Sequence, residues 1–133
     1  MRDYTEYLKV PFLHHGRGWE GADCFGILRL YYEKELGVAL PDFTEDYCED
    51  WWGENNYFLD LYAEFGFRRV FAPAPHDLVM FRNSLTAVGH VGIVLDSCNF
   101  LHMTKAGGGV ADYLFSAWQR QVHSFYRHES QGT

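Results

Sequence analysis

Two short segments constrain the fold of this chain more than any other part of it: Gly21-Ala22-Asp23-Cys24-Phe25-Gly26 and Gly89-His90-Val91-Gly92-Ile93-Val94. The first offers a thiol where a helix should begin, the second an imidazole where a strand should begin. Asp23 is a good N-cap, because its short carboxylate can accept backbone N–H bonds from the first helical turn. Beyond it Ile27, Leu28, Leu30, Tyr31 and Leu36 recur at helical spacing, and Gly37 can close the helix in a left-handed turn. Cys24 is thereby predicted in the first turn.

Residues 77–104 predict three strands. Leu78-Val79-Met80-Phe81 is a short apolar run, residues 90–95 are rich in β-branched side chains, and residues 99–103 resume after the turn-like Asp96-Ser97-Cys98. The last two form a hairpin. A period of two puts His90, Gly92 and Val94 on one face and Val91, Ile93 and Leu95 on the other, the core side. His102 alternates with Leu101 and Met103 in the same way. A three-residue turn places His90 and His102 on one face, whereas an even-length turn separates them unless a bulge intervenes.

A thiol is a useful nucleophile only as thiolate, and the positive end of a helix dipole and a nearby imidazole both favour the anion. His90 is the polar residue at its strand's mouth. His102 is the natural third group, since a base that shuttles a proton needs its other ring nitrogen held by a polar partner. That layout suits a cysteine hydrolase. Each residue also has a plainer reading: Cys24 as a small buried hydrophobe at a helix start, His102 as a core-edge histidine with a satisfied backbone bond.

A chain of 133 residues buries roughly two thirds of its unfolded surface, and 47% hydrophobic with 18% aromatic content argues against disorder. Residues 1–133 are therefore predicted to form one domain. A net charge of −7 without a Lys/Arg cluster excludes general nucleic-acid binding. No apolar run reaches membrane-span length and no signal-peptide core follows Met1, so synthesis in the cytoplasm is predicted, with the product kept there or carried out inside a particle. Cys24, Cys48 and Cys98 cannot pair completely and form no CxxC motif, which predicts a reduced thiol. His14-His15 would point in different directions on a regular element, and no metal or cofactor is predicted. A short helix over residues 3–10, a helix over 55–65 and strands over 67–71 and 121–127 complete the outline. The acidic, aromatic stretch 42–52 reads as a cover for the core, a lid or a docking surface.

Taken in order, Pro11-Phe12, Gly21-Ala22-Asp23-Cys24-Phe25-Gly26-Ile27-Leu28-Arg29, Pro75-His76-Asp77-Leu78-Val79-Met80-Phe81, His90-Val91-Gly92-Ile93-Val94-Leu95, Phe100-Leu101-His102 and Gly107-Gly108-Gly109-Val110 make the chain resemble an NlpC/P60 domain. This is a papain-like cysteine peptidase family, and the resemblance is to its short phage tail-assembly branch. It implies an α+β papain-like fold, in which an N-terminal helix carrying Cys24 packs on an antiparallel sheet of about five or six strands, with the groove where helix start meets sheet. It implies an endopeptidase cutting peptidoglycan stem or cross-link peptides, with Cys24 as nucleophile, His90 as general base and His102 as the group that orients it. The backbone N–H of Cys24 would serve the oxyanion, and His14, His15, Trp19 and residues 105–109 would wall the groove. Phe12 stands where many members have a tyrosine, and His76 where a glycine is usual. The implied partners are tail-tip or tail-hub proteins, and the implied location is the host cytoplasm and then the virion tail tip. The alternative is a structural tail-tip assembly protein whose peptidase chemistry is dormant or used only in maturation; acyl transfer or amidase activity on the same fold is a third class.

Overall fold

The computed structural model of the chain describes residues 4–41, 62–82, 88–114 and 116–132. A four-residue helix α1 (Thr5–Leu8) leads into a small antiparallel ribbon, β1 (Arg17–Gly18) with β2 (Gly21–Ala22), and directly into α2 (Cys24–Tyr31). Asp23 caps α2 as predicted: its backbone is extended and its carboxylate accepts the Gly26 N–H at 2.9 Å. The apolar spacing extends to Leu36, but α-helical winding stops at Tyr31 and Tyr32–Leu36 forms a wider π turn. That turn ends at Gly37, in the left-handed region at φ 66°, and the Val38 N–H reaches back to the Tyr32 carbonyl at 3.0 Å. Side-chain periodicity does not distinguish a widened last turn from a regular one, because the same residues face inward in both.

Six strands form one sheet in the order β3-β8-β4-β5-β6-β7, every neighbour antiparallel. They are β3 (Phe67–Val70), β4 (Leu78–Arg82), β5 (Val88–Val94), β6 (Asn99–Thr104), β7 (Gly107–Asp112) and β8 (Val122–His128). The strands predicted from the sequence are present. β7 is an addition, since three successive glycines argue against a strand. Its second glycine meets the N-terminal segment: a Cβ at Gly108 would lie 2.1 Å from the Tyr7 carbonyl oxygen, so only glycine lets the backbones approach this closely.

Strand alternation divides the interior in two. Leu78, Met80, Val91, Ile93, Leu101 and Met103 pack with Phe25, Ile27 and Leu28 of α2. Val79, Phe81, Val94, Phe100 and Tyr113 form a second cluster, joined by Trp118, Val122 and Phe125. The centre of the sheet is therefore covered on both faces, which is why residues 78–81 are apolar without alternation. The helix predicted over 55–65 falls outside the described residues except for 62–65, which make turns. The stretch 42–52, with Cys48, lies outside them altogether. Among the described residues no helix is long and apolar enough to cross a membrane.

Candidate active site

The β5–β6 hairpin sets the first half of the site. Gly92 pairs with His102 and Ile93 with Leu101, so the three-residue turn puts His90, Gly92 and His102 on one face, as its length predicts. The turn is pinned from two sides. The Asp96 carboxylate accepts the N–H groups of Cys98 and Asn99 at 2.9 and 2.8 Å, and the Tyr113 hydroxyl donates to the carbonyls of Asp96 and Ser97. In consequence His90 Nε2 lies 2.8 Å from His102 Nδ1. Both rings are buried, 7% and 5% exposed. Burial, reinforced by the neighbouring His102, pushes the His90 imidazole down to about 3, and burial alone pushes His102 down to about 4. Both rings are thus neutral at ordinary pH, and one must donate its N–H to the other.

Aromatic side chains surround this pair. Phe81 lies opposite His90 on β4, Phe100 packs on His102 at 4.5 Å between centroids, and Trp118, from the 3-10 helix Ala117–Gln121, stacks on His90 at 5.3 Å. Sequence reasoning did not single out Trp118. It precedes β8 in the chain, and nothing local shows that this segment folds over the hairpin.

Cys24 opens α2 and is 3% exposed. The Asp23 carboxylate beside it accepts the His15 N–H at 3.0 Å and Arg17 Nη1 at 2.8 Å in addition to the capping bond. Arg17 also donates to the Gly16 carbonyl. Burial pushes the Cys24 thiol well above its ordinary range, and the Asp23 charge adds to this; Arg17 and the backbone N–H groups of Phe25 and Cys24 oppose it. The sequence predicts an activated thiolate here, but desolvation outweighs the helix terminus and the resting group is a neutral thiol. The structure brings His90 and His102 together on the β5–β6 hairpin, and Cys24, the first residue of α2, is part of the core cluster that α2 forms with the sheet.

A match to the NlpC/P60 family spans residues 9–127. The chain belongs to the NlpC/P60 family. It is 32% identical over 84 residues to tail tip assembly protein K of Escherichia phage N15, a match covering 60% of the chain and 34% of that protein, so the chain spans about a third of that relative's length. Among solved structures, an NLP/P60 family protein similar to lipoprotein, from Staphylococcus aureus, superposes with a TM-score of 0.65 at 25% identity, covering 92% of the chain and 38% of that one. The NlpC/p60 domain of the peptidoglycan hydrolase SagA superposes with a TM-score of 0.59 at 17% identity, covering 92% of the chain and 91% of that domain, and shows the shared fold.

Against the NlpC/P60 pattern, the two departures now have surroundings. Phe12 forms a parallel bridge with Ala22, two residues before Cys24, and brings no hydroxyl there. His76 has φ 79°, in the region that favours glycine, which accounts for the residue usual at this place. The histidine is held by the Val94 carbonyl on its N–H, by the Tyr32 hydroxyl on its carbonyl and by Tyr31 Oη, 2.7 Å from Nδ1. Trp19 is 42% exposed and lines an open cleft of about 580 Å³ with Glu6, Arg17, Leu30 and Lys34. His14 and His15 do not diverge as expected of a regular element. His15 has φ 62° and the two rings stack at 3.9 Å. Among the described residues no group of three or more His, Cys, Asp or Glu side chains is placed to hold a metal ion.

Proposed function

We propose that this protein is a cysteine endopeptidase acting on peptidoglycan stem or cross-link peptides, with Cys24 as nucleophile, His90 as general base and His102 as the residue that orients it, and that residues 1–133 work as one domain at a phage tail tip. The observation that carries the reading is the 2.8 Å bond between His90 Nε2 and His102 Nδ1, in a chain whose helix start presents Cys24. Membership of NlpC/P60, the hydrolase name of the structural relative and the tail-tip name of the phage relative support the substrate class and the setting. The partners implied are tail-tip or tail-hub proteins.

In this reading proton transfer at His90 falls to Nδ1, because Nε2 faces His102. That requires His90 to carry its hydrogen on Nε2 and donate it, and His102 to accept at Nδ1. The low His102 value keeps that acceptor unprotonated at neutral pH. As Cys24 Sγ bonds to the peptide carbonyl carbon, its proton passes to His90; His90 returns it to the leaving amine as the C–N bond breaks. Water then adds to the thioester with its proton going to His90, the C–S bond breaks, and the thiol is regenerated. The Cys24 backbone N–H serves the oxyanion.

A second reading, a tail-tip assembly component whose chemistry is dormant or reserved for maturation, is favoured by the burial of Cys24 and its raised thiol. Digestion of peptidoglycan and of wall-derived peptides, with products identified by mass spectrometry, separates the two. The peptidase reading expects cleavage by the wild type, none by Cys24→Ala or His90→Ala, and near-normal cleavage by Cys98→Ala. No cleavage by the wild type favours the assembly component, and equal loss in all three variants contradicts the residue roles.

A further inference from the structure

We propose that Trp118 is a positioning residue for the His90–His102 pair, its indole covering both rings and holding the one arrangement in which His90 Nε2 faces His102 Nδ1. The proposal rests on reading that pair as base and orienting group. The indole lies nearly parallel to His90, 5.3 Å between centroids with planes 25° apart, and stands edge-on to His102 at 5.1 Å and 88°. The imidazoles are themselves edge to face, 5.0 Å apart at 76°. A ring stacked on one imidazole and perpendicular to the other leaves neither free to swing about χ2 without losing an aromatic contact.

The indole is itself anchored. Phe81 meets it at 5.0 Å and Phe100 at 5.7 Å. Ser116 caps its 3-10 helix, accepting the Trp118 backbone N–H at 3.2 Å and donating its hydroxyl to the Asp112 carbonyl at the end of β7. Phe81 and Phe100 are fully buried, whereas Trp118 is half-buried, so of these three rings the indole is the one that reaches solvent. Keeping water from an N–H···N bond strengthens it and disfavours the alternative tautomer that water would support. Phe81 on β4, His102 on β6 and Trp118 itself pack on the His90 ring, and His102 is the titratable one of the three whose charge acts on it.

A tryptophan that only filled space would change stability when replaced but not the tautomer. The test is therefore nitrogen-resolved NMR of the histidine rings across pH, on wild type, Trp118→Phe, Trp118→Leu and Trp118→Ala, with the acid limb of kcat/KM for peptidoglycan-fragment cleavage measured beside it. The wild type and Trp118→Phe should show His90 in a single Nε2-protonated tautomer that titrates well below the ordinary histidine range. Trp118→Leu and Trp118→Ala should mix tautomers and raise the His90 midpoint by a pH unit or more. Their kcat should fall about tenfold with KM little changed. A folded Leu or Ala variant with the wild-type tautomer and midpoint overturns the proposal, and the Leu variant decides it if Ala does not fold. Failure of the wild type to cleave would count against the peptidase reading alone, because the ring tautomers report on Trp118 without turnover.

Discussion

Asp23 does two opposed things from one position. As N-cap it fixes the start of α2, and as a buried charge it disfavours the Cys24 thiolate beside it. Arg17 reconciles them: at 2.8 Å, with both side chains almost wholly buried, it neutralises the carboxylate without displacing it from the Gly26 N–H. Replacing Arg17 by Gln should therefore move the pH midpoint of Cys24 alkylation upward, read by mass spectrometry of the Cys24 peptide so that the other cysteines do not contribute. Breaking a buried ion pair costs about 3–5 kcal/mol. Asp23 keeps two backbone N–H partners, so a loss of about 1–3 kcal/mol in urea unfolding is expected. An unchanged or lowered alkylation midpoint would show that Arg17 does not offset the Asp23 charge. Asp23 and Cys24 were legible in the sequence because they sit at a helix cap, and His90 and His102 because they are polar members of alternating apolar strands, inside β5 and β6. Arg17 and Trp118 were not, because the partners that give them their roles are reached through tertiary packing.

At the scale of elements, the position of α2 depends on one contact. A Cβ built on Gly26 would stand 2.1 Å from the Gly16 carbonyl oxygen and 2.8 Å from the Ala22 side chain. The obstacle is backbone, and the loop before β1 is itself tied to Asp23 through the His15 N–H and Arg17. On an exposed helix Gly26→Ala would be stabilising by about 1 kcal/mol. Here it should destabilise by about 1–3 kcal/mol, the usual range for overpacking, and its alkylation profile at Cys24 should change because the cap network must shift. Equal or greater stability of Gly26→Ala in thermal unfolding would mean that α2 is not seated by this contact. The hairpin was the more readable element, since the period of two leaves the facing of its histidines to one question, whether the turn is odd or even, and the pairing of Gly92 with His102 answers it. The Asp96 and Tyr113 clasp on the turn explains why no slip intervenes. The insertion of β8 between β3 and β4 was not readable, because it pairs segments about fifty residues apart.

For the whole molecule, burial of both sheet faces makes stability depend on pH in a stated direction. His90 and His102 titrate at about 3 and about 4 in the fold, below the ordinary value near 6.5, and His123 and His128 are lowered too, all with burial as the first cause. Between pH 6.5 and about 4 the unfolded chain therefore binds protons that the folded chain refuses, so stability is fully present above pH 6.5 and is lost on acidification. Cys24 works from the other side. Its thiol is raised in the fold, so above the ordinary thiol range the unfolded chain gives up a proton that the folded chain keeps, and stability falls again. The expected profile is a dome centred between about pH 7 and 8.5. Its acid limb is worth on the order of a few kcal/mol, because a tenfold difference in proton affinity between folded and unfolded chain is worth about 1.4 kcal/mol and the two rings titrate together. Urea midpoints measured from pH 4 to 10 should trace that dome. His102→Asn should flatten the acid limb, and Cys24→Ser the alkaline one. A wild-type midpoint that stays level from pH 7 down to 4.5 would mean that the imidazoles are not held neutral by the fold. His102 would then be free to charge, and a charged His102 cannot accept the His90 Nε2 hydrogen on which the proposed base catalysis through Nδ1 depends.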